Sequence, residues 1–118
     1  MNLKPICRDK WIQKNKYYYD NLIAFLKFNI PEKSSIIEIG CGTGFLLGNL
    51  NPARAVGIDS SKGMINKAKE NFPEFEFHIM NAENITLEEK FDYIIISDTI
   101  GYFKDVQKVF NQIHKLCH

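Results

Sequence analysis

No apolar run in this chain approaches the roughly 18 residues that a membrane-spanning helix needs. Its N-terminus also lacks the apolar core and small-residue cleavage site of a secretory leader. Both absences point to a cytoplasmic protein with no membrane association. Cysteine is scarce: Cys7, Cys41 and Cys117 are odd in number, widely spaced and without a C-x-x-C pair, which fits reduced thiols rather than a disulfide framework. Charge of either sign is not in excess. Fifteen Lys and Arg against 14 Asp and Glu give a formal +1, so there is no basic footprint for nucleic acid or a membrane surface. Internal repeats, low-complexity tracts and a second domain are absent as well, and 118 residues suffice for one core. With 45% hydrophobic and 25% charged residues, the composition is that of an ordinary globular domain.

What is present is concentrated. Three of the seven glycines fall at 40, 42 and 44, directly after the apolar run Ile36-Ile37-Glu38-Ile39. A short helical segment and then Gly57-Ile58-Asp59 follow. Strand, glycine-rich turn, helix and a second strand ending in a carboxylate form the arrangement by which α/β proteins hold a nucleoside. Glycine at these positions lets a ligand approach the backbone and permits positive φ. Asp59, nineteen residues past Gly40, can accept two hydrogen bonds from a ribose diol. The spacing separates two cofactors. A dinucleotide loop favours G-x-G-x-x-G, whose third glycine position is Phe45 here. This loop is instead G-x-G-x-G preceded by an acid, Glu38, whose charge opposes a pyrophosphate and attracts an ammonium or sulfonium.

Periodicity places the other elements. Trp11, Tyr18, Leu22 and Phe25, with Ile12, Tyr19 and Leu26 beside them, predict an amphipathic helix from about Asp9 to Phe28 packed on the core. Strand 1 is predicted at Ser35 to Ile39, a helix through Phe45, Leu46, Leu47 and Leu50 must stop before Pro52, and strand 2 covers Ala55 to Ile58. Ser60 or Ser61 can cap a helix carrying Met64, Ile65, Ala68 and Phe72. Phe75, Phe77 and Ile79 alternate with Glu76 and a solvent-facing His78, as on an edge strand. Tyr93 to Ile96 reads as a strand covered on both faces, and a helix from about Asp105 to Leu116 places Val106, Val109, Phe110, Ile113 and Leu116 on one stripe. Alternating strands and helices imply right-handed crossovers and an α/β fold: a four-stranded parallel sheet in order 3-2-1-4 with helices on both faces. Ligand is then expected across the C-terminal ends of strands 1 and 4, where the winding reverses.

The segment from Glu38 to Asp59 closely resembles the class I S-adenosylmethionine-dependent methyltransferases. The resemblance implies a Rossmann-like methyltransferase half that binds S-adenosylmethionine and transfers its methyl group to a small-molecule acceptor. It also implies a site. Backbone around Gly40, Cys41, Gly42 and Gly44 would contact the aminocarboxypropyl group, which Glu38 would orient; the alternative for Glu38 is to cap the loop amides. Asp59 would grip the ribose hydroxyls, against an alternative as helix N-cap, with Ser60 and Met64 bordering the adenosine unless Met64 is core. Asn81-Ala82-Glu83 matches the adenine-binding segment, with Asn81 where the family commonly has an acid; its side-chain oxygen would accept from the exocyclic amine, against a plain turn. Backbone from Ser97 through Asp98 to Thr99 would line the cofactor, and Asp98 is a weak candidate for an acid or base near the transferred methyl. Tyr17 would face the sulfonium, while Tyr18 and Tyr19 are better suited to the core. His114, Cys117 and His118 share a helical spacing that could hold metal, but with no fourth ligand apparent, no metal site is expected.

The resemblance runs only through strand 4 and its following helix. Residues 1–118 are therefore expected to form a single cofactor-binding domain truncated after that helix, leaving the apolar edge of strand 4 to be covered by further parts of a longer chain or by a second copy in a homodimer. Two other classes stay open at this point: a nucleoside-binding module without catalysis, and a fragment of an NAD-binding oxidoreductase.

Overall fold

The structure is a computed structural model and describes residues 16–96 and 106–117, without the side chains of residues 16–19, 106 and 110. Element order is α1 (Lys16–Asn29), β1 (Ser35–Ile39), α2 (Phe45–Gly48), β2 (Arg54–Asp59), α3 (Lys62–Asn71), β3 (Glu76–Ile79), β4 (Tyr93–Ile96) and α4 (Val106–Leu116). The four strands form one sheet in the order β3-β2-β1-β4, and every pairing is parallel. Glu38 sits in register between Gly57 and Ile95, at the centre of the sheet.

Because successive strand residues point to opposite faces, the apolar run of β1 serves two cores. Ile36 packs on one face with Leu47, Ala55, Ile65, Ala68, Phe77 and Ile95. Ile37 and Ile39 pack on the other with Val56, Ile58, Ile85, Phe91, Val109 and Leu116. The first core is covered by α2 and α3, the second by α4 and the segment after β3. β4 serves both, with Ile95 on the first face and Ile94 and Ile96 on the second, as an unbroken apolar strand must. The segment before β4 is fastened to α4: Ile85 N donates to Gln112 Oε1 at 2.9 Å, Lys115 Nζ donates to the Ile85 carbonyl, and Phe91 N donates to Leu116 O at 2.8 Å.

Two apolar faces differ from the periodicity. On α1 the inward residues are Leu22, Ile23 and Leu26, packed around Leu46, whereas Phe25 and Phe28 are 64% and 90% exposed. This helix carries apolar side chains nearly all round, so spacing alone does not select the packed stripe. Asp9 to Asn15, the predicted first turns, lie outside the described residues, as do the Trp11 and Ile12 of that stripe. On β3 only Phe77 is buried. Ile79 is 53% exposed because β3 is the edge of the sheet and ends beyond the cover of α3. The helix after the glycine loop is one turn, and Leu50 is buried beyond its end.

At the N-terminal ends of the strands, Arg54 forks onto Glu89 through Nε (3.0 Å) and Nη2 (2.9 Å), and Nη2 also reaches Glu76 at 2.9 Å. His78 Nε2 lies 2.6 Å from the other oxygen of Glu76, so it has a partner rather than facing solvent alone. The hydrogen bonds from His78 and then Arg54 hold the Glu76 carboxyl below its ordinary value, and Arg54 does the same for Glu89. A carboxylate whose folded pKa is lowered adds stability above its unfolded pKa, and that stability is lost as pH falls through the folded value. The side chains of the cluster are 38–40% exposed, so solvent screening limits it to about 1 kcal/mol or less. Urea midpoints measured from pH 6 to 3 are expected to fall more steeply for the parent than for Arg54→Ala. Parallel curves would show that the cluster contributes nothing.

Candidate functional site

The site is assembled at the C-terminal ends of β1, β2 and β3. All three loop glycines take left-handed conformations, with φ of 75° at Gly40, 56° at Gly42 and 84° at Gly44, a region that side-chain-bearing residues rarely adopt. Gly44 is also crowded: a Cβ there would meet Phe72 and Phe77 ring atoms at 3.1 Å. These two aromatics form the floor on which the loop rests, a role the sequence pattern did not single out. Phe77 is the one buried residue of β3, which was the available signal.

The loop's amides are largely spent inside the protein. Gly40 N and Cys41 N both donate to Ile58 O, at 2.9 and 3.0 Å, Gly44 N donates to Cys41 O at 3.0 Å, and Gly42 N donates to Asp59 Oδ2 at 3.0 Å. A pyrophosphate cradle needs such amides pointing at the ligand; these point at β2 and at one another. The acceptors of these four amides are thus supplied by Ile58, Cys41 and Asp59. Glu38 is 1% exposed, on the last turn of strand before the loop. Cys41 turns its thiol into the core beneath Gly57, where an added Cβ would lie 2.8 Å from its Sγ and 2.7 Å from Phe77. Only the backbone of Cys41 is therefore placed toward the loop's open side.

Asp59 is oriented from two directions. Oδ2 accepts from Gly42 N, and Oδ1 accepts from Ser61 N at 2.9 Å. A carboxylate has about four acceptor positions, so one bond to each oxygen leaves capacity for a diol while fixing the plane of the group. The helix N-cap is Ser61, whose Oγ accepts from Met64 N at 3.2 Å, which removes the capping alternative for Asp59. Ser60 is exposed beside it, and Met64 is buried at the start of α3. Met80 N donates to Asp59 O at 3.0 Å, which stitches the exit of β3 to that of β2.

Asn81, Ala82 and Glu83 follow at this exit. Asn81 is exposed, Ala82 is buried in the second core and Glu83 is half-buried. The Asn81 Oδ1 accepts from Glu83 N at 2.8 Å, closing a tight turn completed by Asn84 N to Asn81 O at 3.0 Å. The oxygen expected to face an exocyclic amine thus also accepts from its own turn, with a second lone pair left. Glu38, the glycine loop, Asp59 and residues 80–83 are therefore brought onto one end of the sheet. Ser97, Asp98 and Thr99 lie outside the described residues, as does the side chain of Tyr17 within α1. His114 and Cys117 are exposed, His118 is not described, and among the described residues no group of His, Cys, Asp and Glu could hold a metal ion.

A profile of the methyltransferase-domain family matches residues 30–118, three-quarters of the chain and all of the elements just described except α1. The malonyl-[acyl-carrier protein] O-methyltransferase of Bacillus anthracis is 32% identical over 124 aligned residues, covering 98% of this chain and 46% of that protein. The ubiquinone/menaquinone biosynthesis C-methyltransferase UbiE of Campylobacter jejuni is 34% identical over 91 residues, 69% of this chain and 39% of that protein. Among solved structures, the N-methyltransferase NodS from Bradyrhizobium japonicum, in complex with S-adenosyl-L-homocysteine, superposes with a TM-score of 0.77 over 86% of this chain and 56% of that one, at 18% identity. The chain belongs to the class I S-adenosylmethionine-dependent methyltransferase family. It spans less than half the length of the curated relatives it matches.

Proposed function

We propose that this chain supplies the cofactor-binding part of an S-adenosylmethionine-dependent methyltransferase acting on a small-molecule or thioester-carried acceptor. The observation that carries the reading is the Asp59 carboxylate, held by Gly42 N and Ser61 N beside a glycine loop whose amides are already spent. A diol acceptor next to a loop with few amides to offer suits a nucleoside linked to a cation and disfavours a dinucleotide. In this reading Asp59 accepts from both ribose hydroxyls. Gly40, Cys41, Gly42 and Gly44 pass close to the aminocarboxypropyl chain, and the buried Glu38 attracts its ammonium. Ser60 and Met64 border the adenosine, with Asn81, Ala82 and Glu83 at the base. Ser97, Asp98, Thr99 and Tyr17 remain candidates on the sulfonium side, and Asp98 is the one named candidate for a proton acceptor.

S-adenosylmethionine, when bound, supplies an electrophilic methyl group for in-line displacement. The chain's own contribution is positioning and exclusion of water, which fits the binding groups found at the site among the described residues. The relatives methylate oxygen and carbon by name, so the acceptor atom is left to experiment. Incubation with methyl-labelled S-adenosylmethionine and a panel of malonyl thioesters, carboxylates and phenols is expected to give acceptor-dependent transfer of label. Saturable binding with no transfer to any acceptor, in the 118-residue chain and in any longer protein that contains it, would favour the non-catalytic binding module instead.

The reading includes a partner for β4. Among the described residues its only strand neighbour is β1, and an open edge of Ile-rich strand invites pairing. We assign that edge to further strands of a longer chain. A monomer by light scattering at high concentration, as stable as any longer form, would overturn this; a discrete dimer would assign the edge to a second copy. A cytoplasmic location belongs to the same reading and is supported by the free thiols of Cys41 and Cys117.

A further inference from the structure

A helix as short as α2, four residues, has little stability of its own. Whatever holds it also holds the glycine loop, because Gly44 is both the last loop glycine and the N-cap of α2. Gly48 closes the turn, its N–H donating to Gly44 O at 3.0 Å. Glycine is a poor helix residue, yet alanine does not fit at this position without movement. A Cβ there would lie 2.3 Å from both Cε1 and Cζ of Phe72. The same ring would meet a Cβ on Gly44 at 3.1 Å through Cδ2. Phe72 thus lies against both ends of the turn. Its ring is stacked on Phe75, with centroids 5.6 Å and planes 16° apart. Its backbone is the C-cap of α3, Phe72 N donating to Ala68 O at 2.8 Å. The residue before it, Asn71, reaches Thr43 O through Nδ2 at 3.4 Å. The other end of α3 begins at Ser61, whose N–H holds Asp59 Oδ1 at 2.9 Å. One helix of ten residues therefore carries the carboxylate's tether at its N-cap and the loop's support at its C-cap.

We infer that Phe72 is a positioning residue for the cofactor: its ring, seated in the space that Gly44 and Gly48 leave open, sets how the glycine loop stands against Asp59. This rests on the nucleoside reading of Asp59 and adds to it a pair of residues, Phe72 and Gly48, that touch no ligand. The loop's first end is tied to β2, through Gly40 N and Cys41 N on Ile58 O. Its second end rests on the two aromatics. A ligand that bridges loop and carboxylate senses a shift of that second end, and misplacement by about 1 Å can cost up to about a hundredfold. Phe72 is only partly buried, whereas Phe77 is core, so a change at Phe72 separates positioning from folding better than a change at Phe77.

A double-mutant cycle of Gly48→Ala and Phe72→Leu tests this, read as the dissociation constant of S-adenosyl-L-homocysteine by calorimetry well below each protein's thermal midpoint. Gly48→Ala is expected to weaken binding by about tenfold, because the added methyl drives ring and loop apart. In the Phe72→Leu chain, where the ring tip is gone, the same substitution is expected to cost less than about twofold. A residue that only packs would lower the midpoint and leave the affinity of the folded protein unchanged. An affinity of Gly48→Ala within about twofold of the parent's, or an equal loss in both backgrounds, therefore overturns the inference. If Gly48→Ala does not fold, Phe72→Leu decides alone: a loss of about threefold or more is expected, and an affinity equal to the parent's overturns it. Binding that Asp59→Ala leaves unaltered, or no binding by the parent, removes the nucleoside reading itself and the inference with it.

Discussion

Asp59→Ala is expected to weaken binding of S-adenosyl-L-homocysteine by about 2–3 kcal/mol, roughly 30- to 150-fold, through loss of two charge-assisted bonds to the ribose. The same change releases Gly42 N and Ser61 N, which donate to this carboxylate at 3.0 and 2.9 Å. Part of the loss therefore comes from a loosened loop. Asp59→Asn keeps the shape but sets its Nδ2, a donor, against either Gly42 N or Ser61 N, so it loses one of the two loop bonds together with part of the acceptor capacity for the diol. It is expected to lose affinity by an intermediate amount, with a thermal midpoint between those of the parent and Asp59→Ala. Titration of the three proteins side by side checks this, and equal affinities would mean that the diol is not held at Asp59.

The second large effect concerns the core beneath α4. Phe91 is 1% exposed and packs among Ile37, Ile39, Val56, Ile85 and Leu116, between the sheet and the final helix. Truncation to alanine removes this aromatic volume and leaves a cavity, at a cost of about 3–5 kcal/mol. Whole domains are stable by only about 5–15 kcal/mol, so Phe91→Ala is expected to lower the urea midpoint by more than about 1 M. The bond from Phe91 N to Leu116 O survives the substitution because it is made by backbone, so the measurement reports packing alone. A midpoint unchanged within error would show that α4 does not close this face.

The fold was legible where the signal was local. The apolar runs at 36–39 and 93–96, the alternation at 75–79 and the crossovers between them led to the observed order β3-β2-β1-β4, and β1 falls on the predicted residues. The glycine loop was legible because left-handed φ at Gly40, Gly42 and Gly44 leaves glycine as the residue of choice. Hidden features depend on residues far apart in sequence. Nothing near Arg54 announces that it joins Glu76 and Glu89, since the parallel pairing of β2 and β3 creates that neighbourhood. The outward turn of Phe25 and Phe28 was hidden by aromatic and aliphatic residues on every side of α1. At the site itself, the residue types were readable but their commitments were not. Asn81 could be placed at the exit of β3 from its position in the sequence, whereas the turn to which its oxygen bonds emerges only with the backbone of 81–84 in place.

The central claim is that this end of the sheet binds a nucleoside attached to a cation-bearing chain rather than a dinucleotide. Its most direct test is calorimetric titration of the protein with S-adenosyl-L-homocysteine in parallel with NAD. Saturable one-to-one binding of S-adenosyl-L-homocysteine, with no heat from NAD, is the predicted result. Tighter binding of NAD would contradict the account, because it would require a pyrophosphate to be held by a loop whose amides at 40, 41, 42 and 44 already have other acceptors.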